Sequence, residues 1–200
     1  TKAVIGGGCN HTASGHWSTV AGGRTNTASG LSSFVGGGLQ NTAANIGSFV
    51  GGGKTNVIDT AGDCATITGG TGNCITVAAG TIAGGSYNNV GGECGTIGGG
   101  QSNTVSNCNA TIGGGKSNTA SGCCSTIAGG ASNTSTQCHT VVGGGLSNTA
   151  IACCASIVGG QSNAASECWA SIGGGCSNAA SCMFSTIGGG EDNTASGRGS

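Results

Sequence analysis

Thirteen cysteines in 200 residues are the groups of this chain best suited to chemistry, and most of them fall in register. Cys108, Cys123, Cys138, Cys153 and Cys168 recur every 15 residues, while Cys64, Cys94, Cys124 and Cys154 recur every 30. Thiols arranged in this way can pack as small apolar groups, pair as disulfides or hold a soft metal ion. Metal has the least support, because no C-x-x-C pair occurs and, of His11, His16 and His139, only His139 lies beside the cysteine series. Since thirteen is odd, one chain cannot pair all of its cysteines internally.

Other chemical signatures are weaker. Gly51-Gly-Gly-Lys54-Thr55 and Gly113-Gly-Gly-Lys116-Ser117 end like a phosphate-binding loop, but Ser48 and Ala110 stand where its first glycine belongs. Serine nucleophiles are plentiful and partner histidines are not, and Asp59 and Asp63 sit in a lengthened repeat where an insertion bulge explains them. Asn10-His-Thr12, Asn109-Ala-Thr111 and Asn133-Thr-Ser135 fit the N-glycosylation pattern, which a chain this rich in Asn, Ser and Thr also meets by chance. The expectation is therefore a protein with no catalytic residues, no metal site and no cofactor.

Composition points away from an ordinary enzyme. The chain has 46 Gly, no Pro, 6% charged residues and 3% aromatics, where a typical globular domain carries about 25% charged residues. A formal net charge of −1 gives no electrostatic footprint for nucleic acid. Gly and Asn interrupt every apolar run well before the roughly 20 residues of a membrane-spanning helix, so direct membrane insertion is not expected. Recurring β-branched residues and low charge exclude a disordered chain, and the lack of Pro and of a three-residue glycine period excludes collagen.

These residues are positioned by a repeat. Gly-Gly pairs recur every 15 residues from Gly7-Gly8 to Gly189-Gly190, with one step, Gly52 to Gly69, longer by two residues. Thirteen units result, with the common form G-G-G-x-S-N-T-A-S-G-x-x-S-T-I, almost intact in Gly113 to Ile127. The chain reads as one repeat domain over 1–200, irregular around 54–95 where the insertion falls. The last slot holds only Ile or Val: Ile5, Val20, Val35, Val50, Ile67, Ile82, Ile97, Ile112, Ile127, Val142, Ile157, Ile172 and Ile187. Such a column predicts an inward-facing strand position. Period-two alternation puts Ser18, Ser33 and Ser48 on the same face and the intervening Thr19 or Thr66 on the other. A second strand runs through N-T-A-S-G, and helix is disfavoured because each interior Gly costs about 1 kcal/mol relative to Ala. The fold expected is all-β, a parallel β-solenoid of about thirteen 15-residue coils.

Stacked coils place each slot above its equivalent at about 4.8 Å. The sixth slot then forms an asparagine column of Asn26, Asn41, Asn56, Asn73, Asn88, Asn103, Asn118, Asn133, Asn148, Asn163, Asn178 and Asn193, with His11 in the first coil. Two roles fit it, an amide ladder along the axis and tolerance of a left-handed corner. The loop after the glycines, with Arg24, Lys54, Gln101, Lys116, Gln161 and Glu191, reads as solvated surface. The loop between S-G and S-T-I is apolar instead. It carries Trp17, Leu31, Ile46, Cys94, Cys108, Cys123, Cys124, Cys138, Cys153, Cys154, Cys168, Trp169, Met183 and Phe184. One large aliphatic side chain per coil is little burial against the ordering of fifteen backbone residues, so this edge is expected to be covered by another chain, with interchain as well as coil-to-coil disulfides open to its cysteines.

Gly122-x-x-Ser125-Thr-Ile127-Ala-Gly-Gly-x-x-Asn133 and Gly30-x-x-Ser33-Phe-Val35-Gly-Gly-Gly-x-x-Asn41-Thr-Ala43 resemble the YadA-like head repeat of trimeric autotransporter adhesins, and related repeats of phage and viral fibres. The resemblance spans nearly the whole chain. It implies a left-handed β-roll, three chains side by side as a homotrimer, and a structural or adhesive role in a surface fibre, with a host surface or glycan as outside partner. The corresponding location is extracellular, on a cell or virion surface. The 15-residue unit, the expanded glycine corner and the abundant cysteine depart from that family. Two other functions compete. Thr12, Thr27, Thr42, Thr104, Thr119, Thr134 and Thr149 share one outward slot, as in an ice-binding solenoid, although Phe34, Phe49 and Val141 interrupt the second Thr rank. A glycan-processing enzyme on a solenoid comes third, with the irregular coils from Lys54 to Cys94 as its only place.

Overall fold

A computed structural model describes residues 2–200. The chain is an all-β parallel β-solenoid of thirteen turns, each of about 15 residues. It comprises two compact units, Thr1–Ser102 and Asn103–Ser200, with the same internal construction. In the first, one ladder runs from Val4–Ile5 to Thr96–Ile97 and the other from Thr12–Ala13 to Asn89–Val90. In the second, the corresponding ladders run from Thr111–Ile112 to Thr186–Ile187 and from Thr104–Val105 to Thr194–Ala195.

Register follows the repeat. Thr19 pairs with Phe34 and Val20 with Val35, a step of one 15-residue coil. At the long coil Phe49 pairs with Thr66 and Val50 with Ile67, so the two extra residues leave the ladder intact. They are absorbed between Ile58 and Ala65 in a turn closed by the Gly62 N–H on the Asp59 carbonyl at 2.9 Å. The loop after the glycines is more ordered than its polarity suggests: Arg24, Leu39, Lys54 and Thr71 form a row of parallel single-residue bridges, and Lys116, Ala131, Leu146 and Gln161 do the same in the second unit. Their side chains are solvated while their backbones are paired.

The interior is narrow and its volumes compensate. From Val20 to Ile172 the Ile/Val column is fully buried, opposite small residues such as Ala28, Ala43 and Ala120. Ile5, covered by a neighbouring turn on one side only, is half exposed, a departure from its expected place in the core. In the turns where the second strand carries a larger Ile58, Ile75, Val90 or Val105, the residue before the outward strand-one position shrinks to Ala65, Gly80, Gly95 or Ala110. A Cβ on Gly80 would lie 2.7 Å from Ile75 Cγ2 and 3.1 Å from Val90 Cγ1, so the absent methyl is what admits the larger neighbours. Where the second strand keeps Ala, that residue is often Ser, whose hydroxyl donates to a carbonyl of its own corner, as Ser18 does to Gly15 at 2.8 Å and Ser33 to Gly30 at 2.8 Å.

Corners are made by left-handed residues, and many are not glycine. Thr25, Gln40, Ser117 and Ser132 have φ between 54 and 57°, and Trp17, Cys124, Cys154, Trp169 and Phe184 between 55 and 61°. Bulky residues rarely adopt this conformation. Here pairing to the preceding turn holds them in it: Thr25 N–H donates to Cys9 O at 2.8 Å, Cys124 N–H to Cys108 O at 2.9 Å and Trp169 N–H to Cys153 O at 3.1 Å. Strand amides donate toward the following turn, as Thr27 N–H does to Asn41 O at 2.8 Å, so the left-handed corner is where the direction of donation reverses.

Candidate functional site

Two columns and one edge gather the functional groups. In the asparagine column, Asn41 Oδ1 accepts the Asn56 N–H at 3.0 Å, while its Nδ2 donates to Gly37 O at 2.8 Å and Gly53 O at 2.9 Å. Asn118 repeats this, accepting from Asn133 N–H at 3.0 Å and donating to Gly114 O at 3.0 Å and Gly130 O at 2.9 Å. Every polar atom of the buried amide is therefore used, which meets the requirement for burying it. The left-handed corner falls on the preceding residue, so the asparagine serves as ladder and not as corner. His11 supplies the acceptor in the first coil, through Nδ1 to the Asn26 N–H at 3.1 Å. Asn133 is fully buried in this column, which removes Asn133-Thr-Ser135 as an accessible glycosylation acceptor; Asn10 and Asn109 are exposed.

The apolar edge is built at the two slots before the buried Ser, Ala or Gly that leads into most strand-one pairs. In the first unit Trp17 is 62% exposed, with Leu31 and Ile46 also open to solvent. His16 meets Trp17 edge to face at 6.1 Å. In the second unit Trp169 and Phe184, 50% and 47% exposed, stack across adjacent turns at 5.1 Å and 13°. Both are left-handed corner residues. A further stack, Phe34 on Phe49 at 5.3 Å and 5°, covers part of the outer strand-one face of the first unit. The sequence shows those two residues only as breaks in a Thr rank; their spacing of one coil is the signal that places them face to face.

All thirteen cysteines are free thiols, and nine of them, Cys64, Cys94, Cys108, Cys123, Cys124, Cys138, Cys153, Cys154 and Cys168, fall in the edge slots. Cys94 and Cys124 are exposed, and Cys108, Cys123, Cys138, Cys153, Cys154 and Cys168 are half-buried. Cys108 Sγ and Cys123 Sγ approach to 2.6 Å, and Cys123 Sγ lies 3.7 Å from Cys124 Sγ. The hydrogen bond that the Cys123 S–H makes to Cys108, followed by the one with Cys124, pushes the Cys123 thiol up to about 12. On the second-strand outer face, burial and then the negative charge of Asp59 raise Cys74. Among the described residues no three His, Cys, Asp or Glu side chains gather as a metal site, no pocket is present, and no helix is long and apolar enough to cross a membrane.

Compared with models of known protein families and with curated protein sequences, the chain has no significant match. What the fold defines is a β-solenoid repeat protein of thirteen turns with thirteen cysteines.

Proposed function

We propose that the chain is a structural, adhesive module of a surface fibre, in which further copies of the chain cover the apolar edge. The supporting observation is the exposure of Trp17, Leu31, Ile46, Trp169 and Phe184 on a protein whose buried apolar side chains are only Ile, Val and Ala. Exposed apolar residues recurring along one edge mark a contact surface, and aromatic residues are the usual anchors of such contacts. The resemblance to YadA-like head repeats suggests three chains side by side, at an extracellular or virion surface, with a host surface or glycan as the outside partner.

Trp169→Glu with Phe184→Glu tests the edge. Both side chains already face solvent, so the double variant is expected to keep the parent's β-sheet circular dichroism while its native mass falls toward that of one chain. An unchanged oligomer would remove the edge from the contact. Ice binding is the second function with structural support, since Thr104, Thr119, Thr134 and Thr149 stand in register in four successive turns. Val57, Cys74, Asn89, Ala164 and Ala179 occupy that slot elsewhere, so the fibre reading predicts no thermal hysteresis at micromolar concentration.

A further inference from the structure

The cysteine column is more than apolar filling at one place. Cys108 and Cys123 occupy the same slot of neighbouring turns inside the second unit, and their sulfurs stand 2.6 Å apart, only about 0.6 Å beyond a disulfide bond. The backbone fixes that approach: Thr111 pairs with Thr126 and Ile112 with Ile127, Cys124 N–H donates to Cys108 O at 2.9 Å, and His139 N–H donates to Cys123 O at 3.0 Å. We propose that Cys108 and Cys123 are an oxidative modification site, closing to a disulfide that staples two successive turns of one chain.

Geometry selects this partner over the alternatives. Turns repeat at about 4.8 Å, within the 4.4–6.8 Å that disulfide-linked Cα atoms accept. The adjacent Cys124 has its Cα about 3.8 Å from that of Cys123, below the range, and its sulfur stands farther off at 3.7 Å. Half-burial of both thiols leaves them open to a small oxidant.

A low-molecular-weight disulfide such as oxidised glutathione supplies the electrons' destination. The Cys108 thiolate attacks one glutathione sulfur, forming a mixed disulfide and expelling one glutathione thiolate. Capping Cys108 breaks the thiol–thiol pairing that chiefly raises Cys123, whose thiol then loses its proton to water and attacks the Cys108 sulfur, forming the Cys108–Cys123 bond and expelling the second glutathione thiolate. Two protein thiols lose two protons and two electrons, and the glutathione disulfide gains both to become two thiols.

The experiment uses the full chain, exposed to oxidised glutathione, alkylated with iodoacetamide and digested at Lys and Glu. Cleavage after Glu93, Lys116 and Glu167 separates the two cysteines, so their disulfide survives as a cross-linked peptide pair whose fragment ions name the residues. The expected result is a Cys108–Cys123 link, with the other eleven of the thirteen cysteines recovered alkylated or as mixed disulfides with glutathione and in no protein cross-link. Cys108→Ser and Cys123→Ser should each abolish the link, and Cys123→Ser should leave Cys108 as its mixed disulfide with glutathione. Alkylation of both cysteines, or a link from Cys123 to Cys124 or Cys138, would overturn the proposal. Mixing isotope-labelled with unlabelled chains keeps the link within one chain if the proposal holds; a labelled-to-unlabelled link would overturn it and place the bond between chains.

Discussion

Asn118→Ala is expected to lower stability by about 2–4 kcal/mol, far more than the loss of one polar surface residue. The buried N–H of Asn133 would lose its acceptor, and Gly114 O and Gly130 O would each lose a donor. An unsatisfied buried group costs about 1–3 kcal/mol; the Asn133 amide dominates because Gly130 O still accepts from Lys116 N–H at 2.9 Å. Asn118→Asp separates the two halves of the amide. It keeps the acceptor for Asn133 but aims a second carboxylate oxygen at two carbonyls, so the folded state raises the carboxyl above its unfolded value of about 3.9. The sign follows from linkage: the Asp variant is least damaged at low pH and loses stability as pH rises through its unfolded value. Urea unfolding of both variants at pH 4 and pH 7 checks this. Equal losses at the two pH values for Asp would show that the Nδ2 donors contribute little.

Gly130→Ala is expected to be severely damaging, with Gly129→Ala beside it nearly silent. At Gly130 the backbone has φ +87°, and an added Cβ would lie 2.2 Å from Gly145 O and 2.7 Å from Asn133 Nδ2. Neither neighbour can withdraw: the oxygen accepts from Ala131 N–H and Asn133 Nδ2, and the amide is part of the ladder. A Cβ at Gly129 would meet nothing within 4 Å. The contrast should read as a loss above about 4 kcal/mol, the exceptional range for a point substitution, against about 1 kcal/mol or less. Circular dichroism with urea titration measures both. Comparable losses would mean that the glycine pair is used for chain flexibility and not for the close approach of successive turns.

Much of the fold could be read from the sequence because each strand face repeats its chemistry. An uninterrupted Ile/Val column has few interpretations, and the two-residue insertion shows itself as a phase jump. The role of the asparagine was ambiguous, since one residue type suits both an amide ladder and a left-handed corner; only the backbone shows that the corner lies one residue earlier. Left-handed Trp169, Phe184 and Cys124 carried no local signal, because their conformation is imposed by amide pairing to the preceding turn. The apolar edge was visible in composition. The meeting of Cys108 and Cys123, in preference to other members of the column, depends on side-chain direction, which a 15-residue period does not encode.

Native mass by sedimentation equilibrium, with and without reductant, tests most directly the claim that copies of this chain cover the apolar edge. The account predicts three times the 18.5 kDa of one chain in both conditions, because the edge contact is apolar and the proposed disulfide lies within a chain. A stable species of 18.5 kDa would contradict it.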